Sequence, residues 1–511
     1  MRVLRQFLIN GTIMTLTSLT LRSLGVAFNA FVSRELGADG MGLFTLIMSV
    51  YGLSVTVAAS GVNLAATRMC AEALAGRDTS RLRGALRRCL TYAITCGIIA
   101  CLLLLFGADI VAHHWLGDGR CARSLKLLAV SLPFIAASNV LHGYFTAVRK
   151  VSKSAATQIF EQLFKMTVTV AALLYVVPDG IEYSCMALVG GGALAEIMSF
   201  LMAFILYLLD RRGDKTKPVD RETGRVLTRE LFGITIPVAA AAYVRSGLST
   251  LEHILIPIGL RKNPLTADTA LATYGVLCGM VMPIIMFPTA LLYSFTGLLI
   301  PEFAEEGERK NSTRVCYMIS RSLGLTIIFS IGCAAIMIMF SSELGMLIYD
   351  SHDAGEFIRV MAPLIPLMYL DHAVDAILKG LGEQLYCMKV NIIDSAMCTL
   401  LVWLLCPRIG IYGYIVTIYI AESVNVALSF ARLIKVSGFC IGVTEHFLKP
   451  FVCAVGAVAI LRLFGLAELS CTWLPFVGAS LLLTTVYVLL LLATGALGRG
   501  DIKWILSAAK R

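Results

Sequence analysis

Long apolar runs separated by short polar segments make up most of this chain of 511 residues. A helix needs about 20 predominantly apolar residues to cross the hydrocarbon core of a bilayer. Fourteen segments meet that requirement, and they start near residues 7, 41, 86, 123, 156, 185, 229, 270, 312, 357, 385, 411, 447 and 473. Backbone polar groups within lipid must be hydrogen-bonded inside their own segment. The pattern therefore predicts an all-α integral membrane protein with 14 transmembrane helices.

The composition supports the membrane class. Hydrophobic residues make up 58% of the chain, charged residues make up 15%, and the mean hydropathy is +0.81. Soluble domains carry about a quarter of their residues as charges, so much of this surface must face lipid. The 15 cysteines lie mostly in apolar runs, and no CxxC pair occurs in the sequence. We predict packing roles for them and no metal site.

The distribution of basic residues predicts the orientation. The N-terminal apolar stretch is longer than a signal peptide, so we interpret it as a retained span. With the N-terminus in the cytoplasm, most of the 43 Lys and Arg residues fall in cytoplasmic loops, as topology requires. An even number of spans then places the C-terminus in the cytoplasm as well. The net charge of +10 is explained by topology and by contact with anionic lipid headgroups, without nucleic acid.

Two matched pairs of charged residues predict an internal repeat. Arg22 and Arg245 are each followed by serine and lie 223 positions apart, and Glu196 and Glu422 are each preceded by alanine and lie 226 positions apart. Parallel repeats of this kind are common in transporters. We predict two six-helix lobes related by a pseudo-twofold axis, plus two extra C-terminal helices. The predicted parts are an N-lobe at 1–210, a cytoplasmic inter-lobe loop at 211–228, a C-lobe at 229–440, and spans 13 and 14 with a cytoplasmic tail at 441–511.

These four charges are candidate substrate-binding residues. A charged side chain in the middle of a span costs about 2.5–3.5 kcal/mol on insertion scales, so such residues mark functional sites by default. The planar guanidinium groups of Arg22 and Arg245 suit the oxygens of a phosphate group. Glu196 and Glu422 have two uses that the sequence leaves open. They either line a cavity or form ion pairs with the arginines.

Five further residues are candidates for ion coupling or gating. Asp371 and Asp375 lie one turn apart on span 10, either as a ladder that reaches water or as a proton or cation site that includes Asp394. Glu252 and His253 lie near the outer end of span 7, either as a gate or as a satisfied interfacial pair.

The remaining motifs exclude the common enzyme classes. The chain has no GxxxxGK[ST] loop for ATP, no HExxH and no GxSxG. Glu161 and Lys165 form an i, i+4 pair on span 5 that we interpret as structural. We predict a transporter without a cofactor rather than an enzyme.

Several stretches carry a resemblance to a known family. They are LRSLGVAFNAFVSRELGADGMGLF, QIFEQLFK, IPVAAAAYVRSGLSTLEHILIPIGL and YLDHAVDAILKGLGEQ. Together with the predicted helix count, they resemble the multidrug/oligosaccharidyl-lipid/polysaccharide (MOP) exporter superfamily. Within it, the chain is similar to the polysaccharide biosynthesis and stage V sporulation protein B-like branch, which is related to MurJ-type lipid II flippases.

The resemblance implies a function and a route for the cargo. It implies a flippase that moves an undecaprenyl-diphosphate-linked oligosaccharide or peptidoglycan precursor across the bacterial cytoplasmic membrane by alternating access. Arg22 matches the family's cavity arginine of span 1, whereas Arg245 is assigned by internal symmetry. The extra helices 13 and 14 are similar to those that form a lipid-tail groove. A cation-coupled multidrug exporter and a non-transporting scaffold for cell-wall or sporulation enzymes are the alternatives.

The expected partners and energy source follow from the same resemblance and composition. The partners are a lipid-linked pyrophosphate substrate and membrane lipids, with no nucleic acid, and the protein is expected to be a monomer. No cofactor is expected. Coupling to a Na⁺ or H⁺ gradient or to the membrane potential would supply the energy, because buried charges respond to the transmembrane field.

Overall fold

The computed structural model describes residues 2–76, 78–176, 180–210, 221–263, 269–292, 300, 303–305, 312–438, 447–464 and 472–498. Helices make up nearly all of these residues, and no strand occurs among them. The predicted all-α class is confirmed. Of the predicted inter-lobe loop, residues 211–220 lie outside the described residues, and 221–228 lie in a helix. Of the predicted C-terminal tail, residues 499–511 lie outside them.

The chain forms two compact units. Unit 1 comprises Met1–Phe28, Glu35–Gly275 and Val402–Gly410, and unit 2 comprises Asn29–Arg34, Val276–Leu401 and Ile411–Arg511. The division into lobes made from the sequence stays a prediction.

Unit 1 is built mainly from the first nine helices. They are α1 (Arg2–Ala59), α2 (Val62–Ala75), α3 (Thr79–Ile110), α4 (Cys121–Ala129), α5 (Leu132–Ala147), α6 (Val151–Val176), α7 (Ile181–Asp210), α8 (Arg221–Lys262) and α9 (Ala270–Tyr274). Helix α1 is interrupted at Gly37, whose φ of 68° is a conformation that glycine adopts without strain. A π-helical segment, Val111–Leu116, follows α3.

Unit 2 contains the remaining described helices. They are α10 (Met282–Met286), α11 (Ser312–Met339), α12 (Ser341–Tyr349), α13 (His352–Met361), α14 (Ile365–Gly380), α15 (Gln384–Ile409), α16 (Ile411–Ser437), α17 (Lys449–Leu463) and α18 (Trp473–Ala493). The last turns of α15, from Val402 onward, belong to unit 1. A buried cluster of mainly aliphatic side chains joins α11, α14, α17 and α18.

The described helices agree with a multi-pass membrane protein. Nine of them, within the part of the chain that the structure describes, are long and apolar enough to cross a bilayer, and α4 and α5 together form a tenth that is bent by 45°. One of the nine, Leu16–Ala75, has 60 residues, which is about three times the length that a single span requires. The predicted number of fourteen spans stays a prediction.

Matching helices in the two units support an internal repeat. Helices α5 and α14 both have 16 residues, and α6 and α15 both have 26 residues, with starts 233 positions apart in each case. Their buried positions recur at this offset, so Ser138 on α5 corresponds to Asp371 on α14. For α7 and α16 the buried positions recur 226 positions apart, as for Ala195 and Ala421. This second offset equals the spacing of Glu196 and Glu422.

Small residues allow the helices of unit 1 to pack closely. A Cβ placed on Gly97 of α3 would lie 2.6 Å from Cα of Pro133 on α5. A Cβ on Gly191 of α7 would collide with the side chain of Thr169 on α6. Helix association in membranes depends on this kind of close approach, because lipid removes the hydrophobic driving force between helices. The side chains of α6 and α7 that carry charge are therefore held at short range.

Candidate functional site

The two predicted phosphate-binding arginines both lie in unit 1. Arg22 is half-buried on α1, and Arg245 is exposed near the middle of α8. Hydrogen bonds to the second half of α1 fix α8 around Arg245. The Thr56 hydroxyl donates to Ser246 Oγ at 3.1 Å, and the Thr250 hydroxyl donates to a carbonyl of α1 at 3.1 Å. Arg245 is thus placed on a firmly held helix with its guanidinium accessible.

Glu196 belongs to a group of charges inside unit 1. Glu161 and Lys165 on α6 and Glu196 on α7 interact electrostatically with one another, and we call them the unit 1 charge cluster. The Lys165 ammonium also lies over the ring of Phe28, 5.7 Å from its centroid. A Cβ on Gly192 of α7 would lie 3.7 Å from Cε of Lys165. The lysine therefore crosses α7 one turn before Glu196, where α1, α6 and α7 meet.

Glu422 belongs to a corresponding group in unit 2. It interacts electrostatically with Asp371 on α14 and Asp394 on α15, and we call these three the unit 2 carboxylate cluster. Asp371 is buried, with 9% of its surface exposed, while Glu422 and Asp394 are half-buried. Glu422 is thus brought together with Asp371 and Asp394, which the sequence had already grouped in one of its two alternatives.

Asp375 interacts with a different partner from the three residues of this cluster. Its carboxylate accepts a hydrogen bond from the Lys379 ammonium at 2.9 Å, one turn along α14, and the lysine is exposed. This arrangement fits the ladder alternative, in which the pair reaches water at a helix end.

Glu252 and His253 lie in the second half of α8. His253 Nδ1 and the Tyr274 hydroxyl are joined by a hydrogen bond of 3.1 Å, and their rings meet edge to face. Glu252 is half-buried and interacts electrostatically with Cys406. The hydrogen bond of His253 is therefore to Tyr274, and both the gate and the Glu252–His253 pair stay predictions.

An apolar groove lies within unit 2. It has a volume of about 510 Å³ and is lined by side chains of α11, α17 and α18, among them Phe329, Ile336, Ala457 and Leu483. Tyr487 of α18 closes one side, because its hydroxyl donates to the Ile328 carbonyl at 3.0 Å. The volume falls in the range of pockets that hold a drug-sized ligand, and the lining suits a hydrocarbon.

A polar turn lies at one end of unit 1, outside the spans. Burial alone would raise the pKa of Asp118, but hydrogen bonds from the side chain and backbone of Arg120 lower that pKa below its usual value. The closest of these contacts, from Arg120 Nη2 to Asp118 Oδ2, is 2.6 Å. Among the described residues, no group of three or more His, Cys, Asp or Glu side chains is arranged to hold a metal ion.

Comparison with known families identifies the chain. The model of the polysaccharide biosynthesis protein family matches residues 7–306, which is more than half of the chain. The chain belongs to the polysaccharide biosynthesis protein family. A second family model, MatE, matches residues 263–404 of the chain. Both matches support membership of the MOP superfamily of exporters, so the protein is a membrane transporter rather than an enzyme.

Individual relatives agree with this assignment. The chain is similar to stage V sporulation protein B of Bacillus subtilis (strain 168), with 25% identity and coverage of 98% of each chain. It shares the fold of a multidrug resistance MATE family transporter in an inward-facing conformation, with a TM-score of 0.67, 15% identity and coverage of 83% of this chain and 98% of that one. It also shares the fold of the lipid II flippase MurJ in an inward closed conformation, with a TM-score of 0.64, 12% identity and coverage of 93% and 97%.

Sequence reasoning missed the role of Lys165. The i, i+4 spacing suggested only a local pair with Glu161, whereas the structure adds Glu196 from the next helix.

Proposed function

We propose that this transporter is a flippase for an undecaprenyl-diphosphate-linked oligosaccharide or peptidoglycan precursor. The observation that carries the proposal is the apolar groove of unit 2. A polyprenyl chain is a long hydrocarbon, and a groove of about 510 Å³ lined by aliphatic and aromatic side chains accepts a segment of such a chain. The similarity to a protein named as a lipid II flippase supports the same class of cargo.

Arg22 and Arg245 are proposed to bind the pyrophosphate. Both are on long helices of unit 1, and Arg245 is exposed. A guanidinium offers a planar set of donors that matches two phosphate oxygens, and the cargo's negative charge offsets the cost of placing the cation in a span. Glu196 is proposed to line the negatively charged edge of the binding site. Glu422 is proposed to have the equivalent role in unit 2.

The energy source is proposed to be an ion gradient or the membrane potential. The unit 2 carboxylate cluster is the candidate coupling site, because repulsion among three interacting carboxylates favours uptake of a proton. Asp375 and His253 are secondary candidates because each already has a local hydrogen-bond partner, and Glu252 is a secondary candidate as the neighbour of His253.

Native mass spectrometry of the purified protein tests whether the two arginines bind the lipid. Wild type should retain undecaprenyl-diphosphate lipids, and Arg22→Ala or Arg245→Ala should retain at least tenfold less. Arg123→Ala is the matched control, since its exposed side chain pairs with Glu182 at one end of unit 1. Equal retention by all four proteins would refute the role of the arginines.

A cation-coupled multidrug exporter is the second candidate function. The fold match to a MATE family transporter and the carboxylates of unit 2 favour it. It predicts that wild type in proteoliposomes moves cationic dyes and leaves undecaprenyl-diphosphate lipids in place. The scaffold alternative predicts movement of neither.

A further inference from the structure

The two units carry charged residues on equivalent helices, but the number of negative and positive charges differs between them. Glu161 of α6 corresponds to Asp394 of α15, and Glu196 of α7 corresponds to Glu422 of α16, by the offsets that relate these helices. Both units therefore place a pair of carboxylates on the same two helices. In each unit, these carboxylates interact electrostatically.

Two neighbouring positions differ between the units, and both differences make unit 2 more negative than unit 1. Asp371 of unit 2 corresponds to the neutral Ser138 of unit 1, and Lys165 of unit 1 corresponds to the neutral Cys398 of unit 2. Unit 1 thus has one carboxylate fewer and one ammonium more. With every group ionised, the formal charge of the unit 1 charge cluster is −1, and that of the unit 2 carboxylate cluster is −3.

The surroundings of Lys165 are suited to a retained ammonium. The cation lies over the Phe28 ring at 5.7 Å, within the range of a cation–π interaction. The lysine chain lies against α7 at Gly192, where an added Cβ would be in van der Waals contact with Cε at 3.7 Å. A lysine in the middle of a span is costly unless paired, and this one has a carboxylate on its own helix, Glu161, and another on α7, Glu196.

We infer that the Lys165 ammonium is a built-in cation that offsets part of the charge of Glu161 and Glu196 in unit 1, at the position where unit 2 carries Cys398. Unit 1 is thereby left with a formal charge of −1, against −3 in unit 2, and attracts a free cation less strongly. Removal of the ammonium would leave two carboxylates close together, and such a site attracts a small hard cation to its oxygen atoms. The inference concerns the ion balance inside unit 1 and holds whether or not the cargo is a lipid-linked pyrophosphate.

The test measures the unfolding temperature of the purified full-length protein in detergent. Wild type and Lys165→Met are compared in NaCl and in N-methylglucamine chloride at equal ionic strength. Lys165→Met should unfold several degrees below wild type in N-methylglucamine chloride, and sodium should restore part of the difference. Wild type should show a smaller sodium effect. Lys165→Arg should behave as wild type, because it keeps the cation.

A second variant keeps the test decisive if Lys165→Met does not fold. Glu161→Gln, Lys165→Met and Glu196→Gln combined remove both signs of charge, so this triple variant should fold and show only the sodium effect of wild type. Recovery of folding by the triple variant supports the inference. Two results would overturn it: Lys165→Met matching wild type in both salts, or the triple variant failing to fold when Lys165→Met also fails.

Discussion

The ion pair between Arg432 and Glu383 in unit 2 allows a quantitative prediction. Arg432 Nη2 lies 2.7 and 2.8 Å from the two carboxylate oxygens of Glu383, and Nε lies 3.1 Å from one of them. The guanidinium also stacks on Tyr386, 5.2 Å from the ring centroid. The side chains are 30% and 22% exposed, between the surface and buried cases. The pair links α16 to the turn that precedes α15.

The expected magnitude follows from these contacts. An exposed ion pair contributes about 0–1 kcal/mol, and removal of one partner of a buried pair costs about 3–5 kcal/mol. A bidentate pair of intermediate exposure, with a cation–π contact worth about 0.5–1 kcal/mol, should lie between them. We expect Arg432→Met to lower the free energy of unfolding by about 2 kcal/mol. The coupling between Arg432 and Glu383 should be about 1–1.5 kcal/mol.

The assay is equilibrium unfolding of the purified protein in detergent for a double-mutant cycle. Arg432→Met, Glu383→Gln and the double variant are compared with wild type, and Lys435→Met serves as the control because its exposed side chain lies on the same helix. The control should change the unfolding free energy by less than about 0.5 kcal/mol. If the losses of the two single variants add without coupling, the pair does not stabilise unit 2 and the reasoning from geometry is refuted.

Three further changes test other parts of the structure. Gly42→Ala should prevent folding or reduce the yield of folded protein in size-exclusion chromatography, because the new Cβ would collide with the Leu271 carbonyl. Asp118→Asn should lower the unfolding temperature at pH 7, and the difference from wild type should shrink as the pH falls below the usual carboxyl pKa of 3.8, because a carboxylate with a lowered pKa stabilises the folded state above its usual pKa and loses that effect as the pH falls. Gly332→Leu should displace the Tyr487 ring, which an added Cβ would approach to 3.1 Å, and weaken retention of polyprenyl lipids in native mass spectrometry. A folded Gly42→Ala protein, a pH-independent loss for Asp118→Asn, or full lipid retention by Gly332→Leu would each contradict the corresponding argument.

The hydropathy pattern alone was sufficient to predict the fold class. A chain that crosses lipid must form helices or a closed barrel, and the lengths of these apolar segments favour helices. It was less informative about helix boundaries. Helix α1 runs through two predicted spans and breaks at Gly37, and its joining across that glycine depends on backbone conformation rather than on hydropathy. The start of α8 at Arg221 likewise extends a helix into a segment whose polarity suggested a loop.

The site was predictable only in part. The positions of Glu196 and Glu422 could be matched because each lies at the same place in a repeat. The association of Asp371, Asp394 and Glu422 depends on how α14, α15 and α16 pack, and no periodicity within one helix reveals it. The groove has the same limitation, since α11 and α18 are separated by more than a hundred residues in sequence.

The central claim is that Arg22 and Arg245 bind the pyrophosphate of a lipid-linked cargo. The most direct measurement is translocation of an undecaprenyl-diphosphate-linked disaccharide in proteoliposomes that contain wild type, Arg22→Ala, Arg245→Ala or the control Arg123→Ala. The account predicts that wild type and Arg123→Ala move the lipid across the bilayer, while each of the other two variants is at least tenfold slower. Equal translocation rates for all four proteins, or none for wild type, would contradict it.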